Sequence, residues 1–334
     1  MPAKKPATKP AKKKQEEARE GVSLTNLDQP LFDGADATKR DLVDYIDTMA
    51  DRLIPVLRDR PLSVIRARPG QRPFMQKNVP KYTPDFVATV TLWAETSKRD
   101  VSYALANDRR TLLWFANQRA VEYHPTLVLA DRFEHATHLV LDLDPPEGDG
   151  FTMAVRAAHL VRAALDEVGL AGAVKLSGAK GMHIYVPLAD GVALDDAAAA
   201  TRAIAARAEA LDPVLATTAF VKEDRGGRVF VDATRVGGAT VVAAYSPRIR
   251  PGTPVSFPVP WDDIDEVSPH DFTIRSAPTV LGTRDPWAEL MPEPQELPVV
   301  LLEEGHAIEG GRVQAMHEGK RRARARRQAD AEET

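Results

Sequence analysis

His138-Leu139-Val140-Leu141-Asp142-Leu143-Asp144-Pro145-Pro146 reads as an apolar strand that ends on two acids and is stopped by a proline pair. Side chains two apart on a strand share a face, so Asp142 and Asp144 project side by side at its end. Pro145 lacks the amide that would continue a ladder, which fixes the stop. Two carboxylates held that close repel and raise each other's pKa unless a cation lies between them. Mg²⁺ or Mn²⁺, bound by a few carboxylates together with substrate phosphates, is the usual resolution.

Outward from this strand the sequence alternates between types. A helix is expected over roughly Phe151–Val168, and strands over Ala173–Leu176 and His183–Pro187. A long alanine-rich helix is expected near Leu194–Leu211, with strands at Arg228–Asp232 and Thr240–Ala244. Upstream, Thr38 caps a helix over Lys39–Arg58. Pro61–Pro84 is expected to be loop with short strands, and Leu112–Tyr123 a helix ended by Pro125. This order implies an α/β (α+β) domain, a mixed sheet with packed helices. The pattern divides into a disordered basic tail (1–20), one catalytic domain (21–298) and a helical basic C-terminal extension (299–334).

A second apolar strand, Val229-Phe230-Val231-Asp232, also ends in an acid. Three aspartates at neighbouring strand ends could hold two divalent ions, which would activate an attacking oxygen and stabilise a leaving pyrophosphate. Asp142 and Asp144 would then bridge both ions, with Asp232 holding the one nearer the attacking hydroxyl. Between these acids lies Ser177-Gly178-Ala179-Lys180-Gly181-Met182-His183, a glycine-containing turn whose amides can approach phosphate oxygens. Ser177, Lys180, Gly181 and His183 are nucleotide-contact candidates; a basic hairpin with a core-facing histidine fits the same residues. Arg248, in Tyr245-Ser246-Pro247-Arg248, suits bidentate phosphate contact. Lys222, Arg225 and Arg228 add positive charge just before Asp232.

Composition narrows the chemistry. The chain has 334 residues and no cysteine, so thiolate metal sites and disulfides are excluded. No apolar run approaches the roughly 20 residues of a membrane span, and a cytoplasmic, nucleoid-associated protein without membrane contact is expected. The net charge of −4 hides segregation. Lysines cluster at the N-terminus and arginines at the C-terminus, where they can add sequence-independent phosphate affinity.

Taken in order, these segments resemble the polymerase domain of bacterial ligase D, a branch of the archaeo-eukaryotic primase superfamily. The likeness runs from about Val22 to Asp271. It implies a sheet resembling an RNA-recognition fold and a catalytic, metal-binding triad of Asp142, Asp144 and Asp232. It also implies Mn²⁺-favoured synthesis with a preference for ribonucleotides, and recognition of a 5′-phosphate downstream of a gap or break. Ser177, Lys180, His183 and Arg248 match triphosphate contacts, and His124 matches a residue near the incoming sugar. Lys39 matches a 5′-phosphate lysine. Three positions depart from the pattern: Gln29 replaces the second such lysine, where Arg40 could substitute; Phe74-Met75, with Lys77 nearby, replaces a phenylalanine pair on the template base; and Arg235 stands where many relatives have glutamine. The ligase and nuclease modules of the family do not fit this length.

The resulting expectation is a stand-alone, monomeric primase–polymerase. Its substrates would be gapped or broken DNA and NTP or dNTP, and its partners a separate ligase and the end-binding protein Ku. Two alternatives from other classes remain open: a DNA-end binding module that recruits partners, and a dehalogenase-type phosphatase using Asp142. The second expects a small residue after Asp144, where Pro145 stands.

Overall fold

The computed structural model describes residues 17–94, 98–148, 150–237 and 239–310. In chain order the strands and helices begin with β1 (Glu17–Arg19), β2 (Val22–Leu24), α1 (Lys39–Leu57), β3 (Leu62–Arg68), β4 (Gln71–Gln76), β5 (Thr89–Ala94) and β6 (Arg99–Ala104). They continue with α2 (Arg109–Asn117), β7 (Ala120–Pro125), β8 (His138–Asp144), α3 (Phe151–Asp166), β9 (Ala173–Leu176), β10 (Met182–Pro187) and α4 (Leu194–Leu211). Last come β11 (Ala216–Thr217), β12 (Val229–Asp232), β13 (Pro258–Val259), α5 (Ala277–Leu281), α6 (Pro286–Leu290) and α7 (Val299–Ala307).

A six-stranded mixed sheet, ordered β11-β12-β8-β10-β9-β13, carries the strand read first. Only β11 and β12 run parallel; the other ladders are antiparallel. Along β8 the fully buried Leu139, Leu141 and Leu143 alternate with Val140, Asp142 and Asp144. Helices α3 and α4 pack on this sheet. Their alanines (Ala154, Ala157, Ala158, Ala200, Ala203) are all buried and allow close approach.

The second sheet is ordered β4-β3-β6-β5, with β7 also paired to β3. Helix α1 packs beside α2 through Leu42, Val43, Ile46, Met49 and Leu53, each wholly buried. Burial of such a side chain is worth about 1.5–3 kcal/mol. A capping box at Thr38, in which its hydroxyl accepts from the Asp41 amide and the Asp41 carboxylate accepts from the Thr38 amide, fixes where the helix begins. The Tyr45 hydroxyl donates to the Tyr245 carbonyl over 2.7 Å, tying α1 to the segment that carries Arg248.

Several expected elements change. The helix expected over Leu112–Tyr123 ends at Asn117, because Arg119 adopts φ +60°. The residues after it, Ala120–Pro125, pair with β3 as a strand. Thr240–Ala244 makes no regular strand, although the Val241 and Ala243 amides donate to the Pro125 and Tyr123 carbonyls. Glu17–Arg19, expected within the disordered tail, pairs with β2; residues 1–16 of that tail lie outside the described residues. Of the C-terminal extension, α7 docks on α4 through buried Leu301 and the Arg207–Glu304 pair. The arginine cluster beyond residue 310 lies outside the described residues. Among the described residues no helix is long and apolar enough to cross a membrane.

Candidate active site

Backbone register gathers the site. Asp142 of β8 stands opposite Asp232 of β12 on one side and opposite His183 of β10 on the other. His183 in turn stands opposite Lys175 of β9. Asp232, Asp142, His183 and Lys175 therefore form a polar row across four adjacent strands. Asp144 lies two residues along the same face as Asp142.

The row is linked by contacts. His183 Nε2 lies 3.2 Å from Asp142 Oδ1, and its Nδ1 lies 2.8 Å from Lys175 Nζ. Lys175 also donates to Ser256 Oγ over 2.6 Å. Arg235 Nη2 lies 2.7 Å from Asp142 Oδ2 and 2.9 Å from Asp232 Oδ2. Asp144, the more exposed acid, pairs with Arg225 at 3.2 Å and Lys180 at 3.3 Å.

The electrostatics follow from burial and these partners. Burial would raise the Asp142 carboxyl, but His183 and Arg235 hold it well below the usual carboxylate range. Burial and the neighbouring Lys175 push His183 down to about 4, against the pull of Asp142. Lys175 lies well below its ordinary value, chiefly through burial and then through Arg248. At neutral pH His183 is thus neutral and Asp142 ionised.

The hairpin between β9 and β10 is shaped by its glycines. Gly178 adopts φ +68°, and a Cβ there would lie 2.7 Å from the Val255 carbonyl carbon. At Gly181 a Cβ would lie 1.9 Å from the Leu143 carbonyl oxygen, so only glycine lets the turn press against β8. Ser177 Oγ accepts from the Ala179 and Gly181 amides, each over 3.2 Å, and braces the loop. Arg248 donates to the Ser177 carbonyl. It also lies 3.3 Å from Glu122, whose other oxygen is 2.8 Å from His124 Nε2. Burial would raise the Glu122 carboxyl, but His124 and Arg248 hold it at about 2. Tyr245, immediately before Ser246-Pro247, takes the left-handed φ of +66°. Its hydroxyl donates to Asp285 over 2.5 Å.

A cavity of about 1050 Å³ opens between the two sheets. Asp142, His183, Arg235 and Arg248 line it from the first sheet and its loops, and Met75, Lys77 and His124 from the second. Phe74 is 48 % exposed on β4, beside Arg66. Lys180, Lys222, Arg225 and Arg228 surround a smaller basic pocket of about 190 Å³ next to Asp144.

Lys39 lies elsewhere, in a pocket of about 470 Å³ shared with Gln29, Arg68, Asn117 and Arg119. Its ammonium donates to Asn117 Oδ1 over 2.6 Å and to the Thr25 carbonyl over 2.5 Å. Burial, with Arg119 and Arg68 near, lowers it to about 8. Gln29 accepts from Arg119 over 2.9 Å. Arg40 instead pairs with Glu17 at 2.6 Å and Asp28 at 3.5 Å and does not line this pocket.

Sequence reading passed over Lys175, Glu122, Arg68 and Arg119. Lys175, an isolated cation in an otherwise apolar strand, was visible as an anomaly. The other three carried no local signal.

Among the described residues no three acidic or histidine side chains already converge on one point as a metal cage. The donor set nevertheless suits a hard cation. Oxygens of Asp142 and Asp232 face a single cationic nitrogen, and Asp144 follows on the same strand face.

The family model described as LigD, primase-polymerase domain, matches residues 38–287. The chain is 34 % identical over 259 residues to the bifunctional non-homologous end joining protein LigD of Bacillus subtilis, covering 76 % of this chain and 41 % of that protein. It is 33 % identical over 256 residues to the multifunctional LigD of Mycolicibacterium smegmatis, covering 74 % and 33 % respectively. The chain thus spans well under half the length of these relatives. Among solved structures, the polymerase domain of Mycobacterium tuberculosis ligase D in complex with DNA superposes with a TM-score of 0.74 and 29 % identity, over 82 % of this chain and 99 % of that one.

Proposed function

The chain belongs to the family of LigD primase–polymerase domains, which are nucleotidyltransferase polymerases, and from that premise we propose that it extends primer 3′ ends at gaps or breaks in DNA during repair. The observation that carries the reading is the row Asp232–Asp142–His183 on adjacent strands, with Asp144 beside it lining the small basic pocket.

Asp142, Asp144 and Asp232 are the residues that would hold two divalent ions, Mn²⁺ or Mg²⁺. When bound, such ions lower the pKa of the attacking hydroxyl and neutralise charge on the transferring phosphate. The protein's own groups do the rest. His183 donates toward Asp142 and keeps it ionised and oriented. Arg248, buttressed by Glu122 and the Ser177 carbonyl, presents fixed positive charge to a triphosphate. Lys180 and Arg225, which neutralise Asp144 here, would turn to the β- and γ-phosphates. His124 reads the sugar, favouring ribonucleotides, and Phe74 stacks on the template base. The Lys39 pocket, with Arg68 and Arg119, receives the downstream 5′-phosphate. In this reading a separate ligase and the end-binding protein Ku act on the same break.

The test is primer extension by the purified chain on a gapped duplex with Mn²⁺ and ribonucleotides. Wild type extends the primer, and the double change Asp142→Ala and Asp144→Ala abolishes extension. Extension that survives in the double variant removes the assignment of these acids.

A further inference from the structure

Arg235 stands three residues beyond Asp232, on the segment leaving β12. A single nitrogen of its guanidinium lies 2.7 Å from one oxygen of Asp142 and 2.9 Å from one oxygen of Asp232. These carboxylates belong to strands that face each other in register. The nitrogen thus occupies the point to which both acids direct negative charge. The anchorage is otherwise thin. Arg235 Nε is buried without a hydrogen-bond partner, so the side chain is held at its tip by charge. Its side chain remains 34 % exposed toward the cavity that Arg248 and His183 also line.

A divalent ion held between those two oxygens would sit at the point the guanidinium nitrogen now fills. A divalent ion that takes Asp142 and Asp232 must displace the guanidinium, and the exposed side leaves it room to swing. We propose that Arg235 is the site's internal counter-cation, which holds Asp142 and Asp232 together before metal arrives, competes with the ion for them, and turns into the cavity toward an anionic substrate once displaced. This rests on the metal reading given above and adds to it a residue that sets how tightly the ion is held. The competition has a cost and a use. It weakens metal binding in the free protein, and it couples loading of the ion to the arrival of a phosphate able to receive the freed guanidinium.

The test is calorimetric titration of the metal-free full chain with Mn²⁺, beside melting in EDTA. Arg235→Gln binds Mn²⁺ more tightly than wild type, on the order of tenfold. In EDTA it melts at a lower temperature, because two nearly buried carboxylates have lost their partner, and Mn²⁺ restores the loss. Arg235→Lys, a more hydrated point charge, falls between the two. Arg228→Gln removes an equal charge that touches none of the three aspartates and changes affinity by no more than about twofold. Equal Mn²⁺ affinity in wild type and Arg235→Gln overturns the inference, as does an equal gain in Arg228→Gln. Asp142→Asn separates the two levels. If it abolishes Mn²⁺ binding while Arg235→Gln leaves affinity unchanged, the metal reading stands and the role of Arg235 alone falls. If Mn²⁺ binding is indifferent to Asp142→Asn, both fall.

Discussion

Asp232 faces Asp142 across the β8–β12 ladder, and one nitrogen of Arg235 lies within 2.9 Å of an oxygen on each. Strand pairing fixes the backbone register of these acids, so they stay neighbours as long as the ladder holds. Such rigidity is what a site that concentrates charge on a transferring phosphate requires.

Asp232→Asn keeps the side-chain shape and its bond to the Thr234 amide while removing the charge. Primer extension should fall by at least about 10²-fold, the scale on which loss of one transition-state-stabilising group is felt. An unchanged melting temperature in the presence of DNA would show that the loss is chemical.

Lys39→Ala should erase any preference for gaps bearing a 5′-phosphate, measured as extension on matched phosphorylated and unphosphorylated substrates. In wild type the preference should also fade as pH rises through about 8, since the buried ammonium loses its proton there and phosphate binds the charged form. A preference that survives intact in Lys39→Ala would remove Lys39 from the role.

Gly181→Ala should destabilise the fold by about 1–3 kcal/mol, the usual cost of overpacking. The added methyl would lie 1.9 Å from the Leu143 carbonyl oxygen, and the hairpin must shift away from β8 to make room. Urea unfolding checks the stability, and nucleotide affinity should weaken with it.

His183 is held neutral in the folded chain, with its pKa lowered to about 4 by burial and Lys175. The unfolded chain therefore binds a proton that the folded one refuses, and stability falls as pH drops from about 6.5 toward 4. Asp142 acts in the same direction but only below the ordinary carboxylate range. Urea midpoints at pH 7 and pH 5 should differ more for wild type than for His183→Gln. Equal differences would place the titration elsewhere.

The sequence by itself determined the strand ending in Asp142 and Asp144, its stop at Pro145 and the face its acids share, because two-residue alternation and proline chemistry are local. It likewise determined α1 from the Thr38 cap onward, and the need for glycine in the Ser177–His183 turn. The strand Ala120–Pro125 escaped it. The apolar spacing of residues 112–123 suits a helix, and the break comes at Arg119, a left-handed residue without the glycine that usually marks one. Only the tertiary structure decided that Asp232 meets Asp142, that Arg235 binds both, and that Arg68 and Arg119 join Lys39 in one pocket. Those meetings depend on register and packing between segments far apart in the chain. No local pattern encodes such a register; it is set where burying one face of each strand leaves a single alignment.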